Sequence, residues 1–179
     1  IAGLGDSAVP AADRRRRAGD ITDPEMTRFI MTLEQAVRLV ITSTFMAHGG
    51  EVFVTKMPVL RIIDLAHVMI EELAPRYGFK PSDVKLEVIG PRPGEKMYEE
   101  LLSDEETRRT VETEDFFIVL PALKPHYETV QYAYLGMLDS QVDRPYNSAL
   151  APIMSRDEVA AYLARHSLLG PPQQEEMQC

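Results

Sequence analysis

Three segments of the chain repeat apolar residues at the three-to-four-residue spacing of an amphipathic helix. Two of them open with a capping box, in which a serine or threonine precedes an acid or amide by three residues: Thr32 with Gln35, and Ser155 with Glu158. Glycine or proline follows each segment, and these residues end helices. The pattern predicts helices over residues 32–48, 62–74 and 155–169.

Short apolar or alternating runs lie between these segments and predict strands. The runs are EVFVTK, VKLEVIG and FFIVLP, residues 51–56, 84–90 and 116–121. The charged stretches EKMYEELL and SDEETRRTVE, residues 95–102 and 103–112, predict further helical segments, the second opened by another capping box. Residues 121–152 predict a loop-rich region with one or two helical turns near 130–138. Helices that alternate with strands predict an α/β fold.

The composition is that of an ordinary folded domain and excludes several functions. The chain has 179 residues, of which 45% are hydrophobic and 26% charged, enough for a domain with a sizeable core. Its net charge of −9 argues against nucleic-acid binding, because surfaces that follow phosphates need a basic excess. The single cysteine, Cys179, permits no disulfide within the chain, and no apolar run reaches about 18 residues. We therefore expect a cytoplasmic protein without membrane insertion.

The stretch VIGPRPGEKMYEELL holds an arginine in a rigid frame. Pro91 and Pro93 restrict the backbone on both sides of Arg92, and Glu95 follows one turn later. A guanidinium held in this way is a planar fork that matches two phosphate oxygens, and a carboxylate beside it suits a ribose diol. A second loop arginine, Arg28, precedes the cap of the first predicted helix. The alternative is a surface turn in which Arg92 only pairs with a nearby glutamate.

Four blocks of the sequence resemble a known family in their order and spacing. They are TDPEMTRFIMT, GGEVFVTKM, RIIDLAHVMI and GPRPGEKMYEELLSDEE, and RPYNS with MSRDEVAAYL resembles the end of the same family. The family is the extended short-chain dehydrogenase/reductase (SDR) enzymes of bacterial polysaccharide biosynthesis, which include UDP-N-acetylglucosamine 4,6-dehydratases and capsule-type epimerases. The resemblance runs from about residue 9 to residue 170, nearly the whole chain.

The resemblance implies an α/β fold that corresponds to the C-terminal half of an extended SDR enzyme. This half would contain the last strands of a Rossmann-type sheet and a small helical substrate-binding lobe, and the N-terminal cofactor-binding half would be absent. The expected division is a remnant that links to the missing half, a UDP-sugar-binding lobe, a loop-rich segment with the C-terminal helix, and a disordered tail. These parts correspond to residues 1–22, 23–123, 124–170 and 171–179.

The resemblance also implies which residues bind the substrate. Arg28 of the TRF block and Arg92 of the RPGE block match the arginines expected to clamp the diphosphate of a UDP-sugar. Glu95 matches the acidic residue near the ribose, and Val9 and Pro10 fall where a loop lines the uracil pocket. No catalytic, cofactor-binding or metal-binding residue is expected in this chain.

Two motifs of the family are missing, and they limit the expected function. No tyrosine is followed four residues later by lysine, and GLGDSA matches the dinucleotide fingerprint by letters only, because no strand can precede it. We expect a chain that is inert alone, with NAD or NADP bound by the other half of the parent enzyme.

Three functions remain open on this basis. The chain is the UDP-sugar-binding part of a 4,6-dehydratase, or part of a UDP-sugar 4- or 5-epimerase, or a non-catalytic binding or assembly module that docks to a Rossmann partner. The expected partners are a UDP-sugar, the Rossmann half or a partner chain, and a second copy of the chain in a homo-oligomer.

Overall fold

The structure is a computed structural model that describes residues 19–123, 130–138 and 141–170. The described α-helices are α1 (Leu33–Met46), α2 (Ile62–Leu73), α3 (Asp104–Thr107) and α4 (Arg156–Arg165), and two short 3-10 helices cover Ala74–Tyr77 and Pro81–Asp83. The described strands are β1 (Gly19–Ile21), β2 (Thr27–Phe29), β3 (Val52–Thr55), β4 (Val59–Arg61), β5 (Leu86–Val88), β6 (Glu100–Leu102), β7 (Thr110–Glu112), β8 (Phe116–Val119) and β9 (Tyr146–Asn147). Val9, Pro10, the GLGDSA stretch and the tail 171–179 lie outside the described residues.

The three long predicted helices are confirmed as α1, α2 and α4. In the capping box of α1, the N–H of Gln35 donates to Thr32 Oγ1 at 3.1 Å and the N–H of Thr32 donates to Gln35 Oε1 at 2.7 Å. The reciprocal box of Ser155 and Glu158 opens α4. These bonds satisfy N–H groups that have no partner inside the helix, which is why the helices begin where the sequence predicted.

The strands of the described region form four small sheets. β1 and β5 pair in parallel, β2 pairs with β4 and β6 with β9 in antiparallel fashion, and β3, β8 and β7 form an antiparallel sheet in that order. The α/β fold is thereby confirmed, as are the strands predicted in 51–56, 84–90 and 116–121. β1, β2, β4 and β9 lie in segments where no strand was predicted, and β6 and β7 lie in segments predicted to be helical.

Two of the predicted helical segments are wrong, and a third is shorter than predicted. Residues 95–99 form a bend and 100–102 form β6, because backbone groups of this stretch pair with distant strands and not with each other. The described residues 130–138 contain a turn at Gly136, whose φ is +76°, and no helix. The box of Ser103 and Glu106 is present, but α3 ends after four residues and β7 follows.

The packing between α2, α4 and β4 is the part of the core that supports the arginine-bearing strand β2. Its buried residues are Leu60, Val68, Val159 and Leu163. A buried carboxylate joins the same elements: Asp64, 2% exposed, accepts from Arg61 Nε at 2.7 Å and from Arg156 Nε at 2.9 Å, and both arginine side chains are partly exposed. Burial opposes ionisation of Asp64, but the hydrogen bonds from the two arginines outweigh it and hold the pKa of the carboxyl below its ordinary value.

One face of α1 is apolar and exposed. The helix has 14 residues, and none of them is buried. Leu33 is 82% exposed and Phe45 88%. Val37, Val40 and Ile41 lie between them at helical spacing and are at least half exposed, so the five side chains form one stripe. We call this stripe the α1 face.

No helix in the part of the chain that the structure describes is both long enough and apolar enough to cross a bilayer.

Candidate functional site

Arg28 lies in the middle of β2 and is bound to the chain segment that follows the proline-framed turn. Its Nη1 donates to the carbonyl of Thr27 at 2.7 Å and its Nη2 to the carbonyl of Lys96 at 2.7 Å. Two weaker contacts extend the connection, from Nη1 to the carbonyl of Met97 at 3.4 Å and from Nε to Glu99 Oε1 at 3.6 Å. The guanidinium therefore holds residues 96–99, which we call the 96–99 segment, against β2.

The backbone of β2 makes the same connection as the Arg28 side chain. The N–H of Thr27 donates to the carbonyl of Met97 at 3.0 Å, on the edge of β2 that pairs with no strand among the described residues. On its other edge, β2 pairs with β4, with Arg28 opposite Leu60. Since Leu60 of β4 belongs to the buried core, Arg28 and the 96–99 segment are both attached to that core.

Ser148 joins this arrangement from a third segment, and sequence reasoning missed it. Its side chain is fully buried, and its Oγ accepts the N–H of Glu99 at 2.9 Å and lies 2.9 Å from Thr27 Oγ1. Its own N–H donates to the carbonyl of Glu99 at 2.8 Å. The quoted motif RPYNS contains it, but only the fold brings residue 148 next to residues 27 and 99.

The turn that carries Arg92 is stabilised by Glu95 through backbone groups. The N–H of Arg92 donates to Glu95 Oε2 at 3.1 Å, and the N–H of Glu95 donates to the carbonyl of Arg92 at 3.0 Å. Gly94 adopts a φ of +88°, a left-handed conformation that other residues adopt at a cost. The turn is therefore closed by its own residues, and it is exposed to solvent.

The guanidinium of Arg92 has no hydrogen-bond or ion-pair partner within the described ranges. Of the two glutamates that could neutralise it in the surface-turn alternative, Glu95 accepts the N–H of the Arg92 backbone and Glu99 lies beside Arg28. Arg92 is four residues before Lys96. One short segment therefore carries both the Arg92 guanidinium and the carbonyls of Lys96 and Met97 that accept from Arg28. Of the five sequence-predicted residues, Arg28, Arg92 and Glu95 lie in this region, and the other two, Val9 and Pro10, lie outside the described residues.

A second polar cluster, around Glu51, stabilises a turn of the fold. Glu51 accepts the N–H groups of His48 and Gly49 and the hydroxyl of Tyr134, the last at 2.8 Å. Burial opposes ionisation of Glu51, but these hydrogen bonds outweigh it and lower the pKa of the carboxyl, while burial and the adjacent Glu51 raise the pKa of Tyr134. The cluster fixes the turn between α1 and β3 to residues 132–134.

A nicotinamide dinucleotide would not fit the described residues. Its phosphates are bound where a parallel strand leads through a glycine-rich turn into a helix. Here β1 leads through an Asp-Pro turn into β2, and β5 leads into the Gly-Pro-Arg-Pro turn that β6 follows. The described strands therefore do not form the phosphate-binding turn of this cofactor.

The α/β fold is of the extended SDR type, as the sequence resemblance predicted. The family described as polysaccharide biosynthesis protein matches residues 5–121, and the chain belongs to this family.

Curated relatives and a solved structure are similar to parts of this chain. A protein of Methanocaldococcus jannaschii that is named an uncharacterized membrane protein is 43% identical over 149 residues, which cover 83% of this chain and 41% of that protein. The inverting UDP-N-acetylglucosamine 4,6-dehydratase of Campylobacter jejuni is 38% identical over 104 residues, 58% of this chain and 28% of that enzyme. The X-ray structure of Pen from Bacillus thuringiensis matches with a TM-score of 0.68 at 36% identity, over 83% of this chain and 41% of that chain.

The chain spans about two fifths of the length of the first relative and of Pen, and 28% of the dehydratase. A UDP-glucose 4-epimerase of Rickettsia bellii is 37% identical over 97 residues, 54% of this chain and 26% of that enzyme. The relatives therefore carry both of the reaction types that the sequence left open.

Proposed function

We propose that this chain is the nucleotide-sugar-binding part of a UDP-N-acetylglucosamine 4,6-dehydratase-like enzyme of cell-surface polysaccharide biosynthesis. The observation that carries the proposal is the bond between Arg28 and the segment that continues from the Arg92 turn. This bond attaches Arg28 to Lys96, four residues after Arg92, although Arg28 and Arg92 are far apart in the sequence. The name of the Campylobacter jejuni relative supports UDP-N-acetylglucosamine as the sugar nucleotide.

Arg92 is the residue that contacts the diphosphate directly in this proposal. Its guanidinium is exposed and lacks a partner among the described residues, so binding a phosphate breaks no existing ion pair. The turn is already closed by the two Arg92–Glu95 bonds, so little backbone conformational entropy is lost when a ligand binds. A charged, bidentate hydrogen bond is the strongest contact that an arginine makes with a phosphate.

Arg28 has a mixed role in the proposal. Its two bonds of 2.7 Å to carbonyls of Thr27 and Lys96 hold the 96–99 segment, whereas its contacts at 3.4 and 3.6 Å are weak enough for phosphate oxygens to replace them. Glu95 lies beside the diphosphate position and keeps one carboxylate oxygen for a ribose hydroxyl. Val9 and Pro10 line the uracil pocket in the proposal.

The exposure of the α1 face is an argument for a partner of domain size. A monomeric protein rarely exposes a continuous apolar stripe of this kind, because burial of apolar surface is the main force in association. We propose that the face packs against the Rossmann half, which holds NAD or NADP, or against a partner chain, and that a homo-oligomer forms. Alone, the chain binds the sugar nucleotide but does not turn it over.

A second candidate is an epimerase, which the Rickettsia bellii relative favours. The two candidates share the binding of UDP by this chain and differ in reactions that depend on the other half. A non-catalytic assembly module, the third candidate, is distinguished by the absence of UDP binding.

The test is calorimetric titration of UDP into the chain and its variants. We expect Arg92→Lys to weaken binding about tenfold to a hundredfold, since a charged hydrogen bond contributes roughly 1.5 to 3 kcal/mol and an ammonium cannot replace the fork. Arg28→Lys acts in the same direction, and the double variant departs from additivity because the two arginines share one ligand.

The matched control is Arg165→Lys, which changes an exposed arginine in the last turn of α4 with no hydrogen bond or ion pair to residues 90–99. It should bind UDP as the wild type does. Equal affinity of Arg92→Lys and wild type would show that the turn serves the fold alone, and no binding of UDP by the wild type would contradict the proposed function.

A further inference from the structure

Ser148 connects three segments whose relative position determines the arginine site. Its Oγ accepts the N–H of Glu99 at 2.9 Å, lies 2.9 Å from the hydroxyl of Thr27, and lies 3.3 Å from the carbonyl of Thr27. Its N–H donates to the carbonyl of Glu99 at 2.8 Å. Thr27 precedes Arg28 in β2, and Glu99 ends the segment that Arg28 binds. Ser148 therefore holds both sides of the Arg28 contact.

The chemistry of this position requires a hydroxyl. The side chain is 0% exposed, so water cannot replace a lost partner, and Thr27 is 5% exposed. A single hydroxyl there accepts an amide N–H and also forms a hydrogen bond with a second hydroxyl, which neither an alanine nor another apolar side chain does. Without it, the N–H of Glu99 is left without its partner inside the protein.

We propose that Ser148 is a positioning residue of the nucleotide-sugar site, which keeps the 96–99 segment and the adjoining Arg92 turn in place beside Arg28. It does not touch the ligand and acts through the backbone of Glu99 and the side chain of Thr27. This inference rests on the proposed function, because the position of Arg92 affects affinity only if UDP binds there.

A purely structural role makes a different prediction. A buried hydroxyl that contributes only to global stability lowers the stability of the whole fold and leaves the affinity of the folded fraction unchanged. A positioning residue opens the 96–99 segment locally and weakens UDP binding while the rest of the fold is intact. Amide exchange followed by mass spectrometry and calorimetry with UDP separate the two.

The variant is Ser148→Ala, and the matched control is Thr113→Val. Thr113 is also buried, at 4%, and its Oγ1 accepts the N–H of Phe116 at 3.0 Å in the β7–β8 connection; within the described ranges its hydrogen bonds are to Lys56 and Phe116. Both variants remove one buried hydroxyl. We expect Ser148→Ala to speed exchange in the 96–99 segment at least about tenfold relative to α4 and to raise the Kd for UDP about fivefold or more. Thr113→Val should change neither quantity.

A coupling measurement strengthens the test. In an Arg92→Lys background, Ser148→Ala should reduce UDP affinity by a smaller factor than in the wild type, because the group that it positions is already weakened. If Ser148→Ala does not fold, Thr27→Val removes the facing hydroxyl without changing the size of the side chain, and it should produce a smaller effect in the same direction on both readouts.

The outcomes separate this inference from the proposed function. If the wild type binds UDP and Ser148→Ala has the same Kd, the inference alone is overturned. If Ser148→Ala is unfolded, an unchanged Kd in Thr27→Val has the same consequence. Equal exchange in the 96–99 segment of Ser148→Ala and Thr113→Val also overturns it. If the wild type does not bind UDP, the proposed function is overturned. The proposed role of Ser148 in a nucleotide-sugar site is then overturned as well.

Discussion

Replacement of Asp64 by asparagine tests how far the ion pairs of this buried carboxylate stabilise the packing of α2, α4 and β4 that supports β2. The carboxylate is 2% exposed and accepts two charge-assisted hydrogen bonds, from Arg61 and Arg156. Each such bond contributes about 1.5 to 3 kcal/mol when its partner is shielded from water. The arginine side chains are 42% and 50% exposed, so they regain water when the bond is lost, and part of the stabilisation must be discounted.

Asparagine keeps one oxygen acceptor but presents its amide N–H groups to the other arginine. We therefore expect Asp64→Asn to lower the free energy of unfolding by roughly 2 to 3 kcal/mol, a large part of the stability of an ordinary domain. Urea denaturation followed by circular dichroism at pH 7 measures it. Asp157→Asn, in the exposed first turn of α4, is the control and should cost under about 1 kcal/mol.

The same ion pair predicts the direction of a pH effect. Because the pKa of Asp64 is lowered in the folded state, its contribution is fully present above the unfolded pKa of about 3.9 and is lost as pH falls through the folded pKa. The difference in stability between wild type and Asp64→Asn should be constant above about pH 5 and shrink in more acidic solution. A difference no larger than that of Asp157→Asn at pH 7, or one that grows on acidification, would refute this reasoning.

The remaining predictions concern activity, association and the turn. The isolated chain should form no 4-keto product from UDP-N-acetylglucosamine with NAD or NADP, and robust turnover would contradict its dependence on another half. It should associate with increasing concentration in light scattering, and Phe45→Ser, which shortens the 88% exposed end of the α1 face, should reduce association; a wild type that stays monomeric would count against the proposed partner surface. Gly94→Ala should cost about 1 to 2 kcal/mol in urea denaturation and weaken UDP binding, because φ at this position is +88°, and an unchanged stability would show that the turn relaxes without strain.

Local sequence signals determined the elements that depend on neighbouring residues. The capping boxes at Thr32 and Ser155 satisfy N–H groups within the same turn of chain, so the starts of α1 and α4 were predictable. The strands β3, β5 and β8 followed from short runs of residues that suit a pleated surface. Arg28 and Arg92 were predicted as binding residues from their neighbours in the sequence: Arg28 precedes a helix cap, and Arg92 lies between two prolines.

The tertiary structure alone decided the stretch 95–102, where the spacing of charged and apolar residues suggested a helix. The N–H of Thr27 and the N–H of Ser148 instead donate to the carbonyls of Met97 and Glu99, and partners that are 70 and 49 residues away along the chain leave no local signal. The same holds for the Arg28 contact with Lys96 and for the buried Ser148. A helical propensity contributes a few tenths of a kcal/mol per residue, which a small set of backbone hydrogen bonds to a fixed core exceeds.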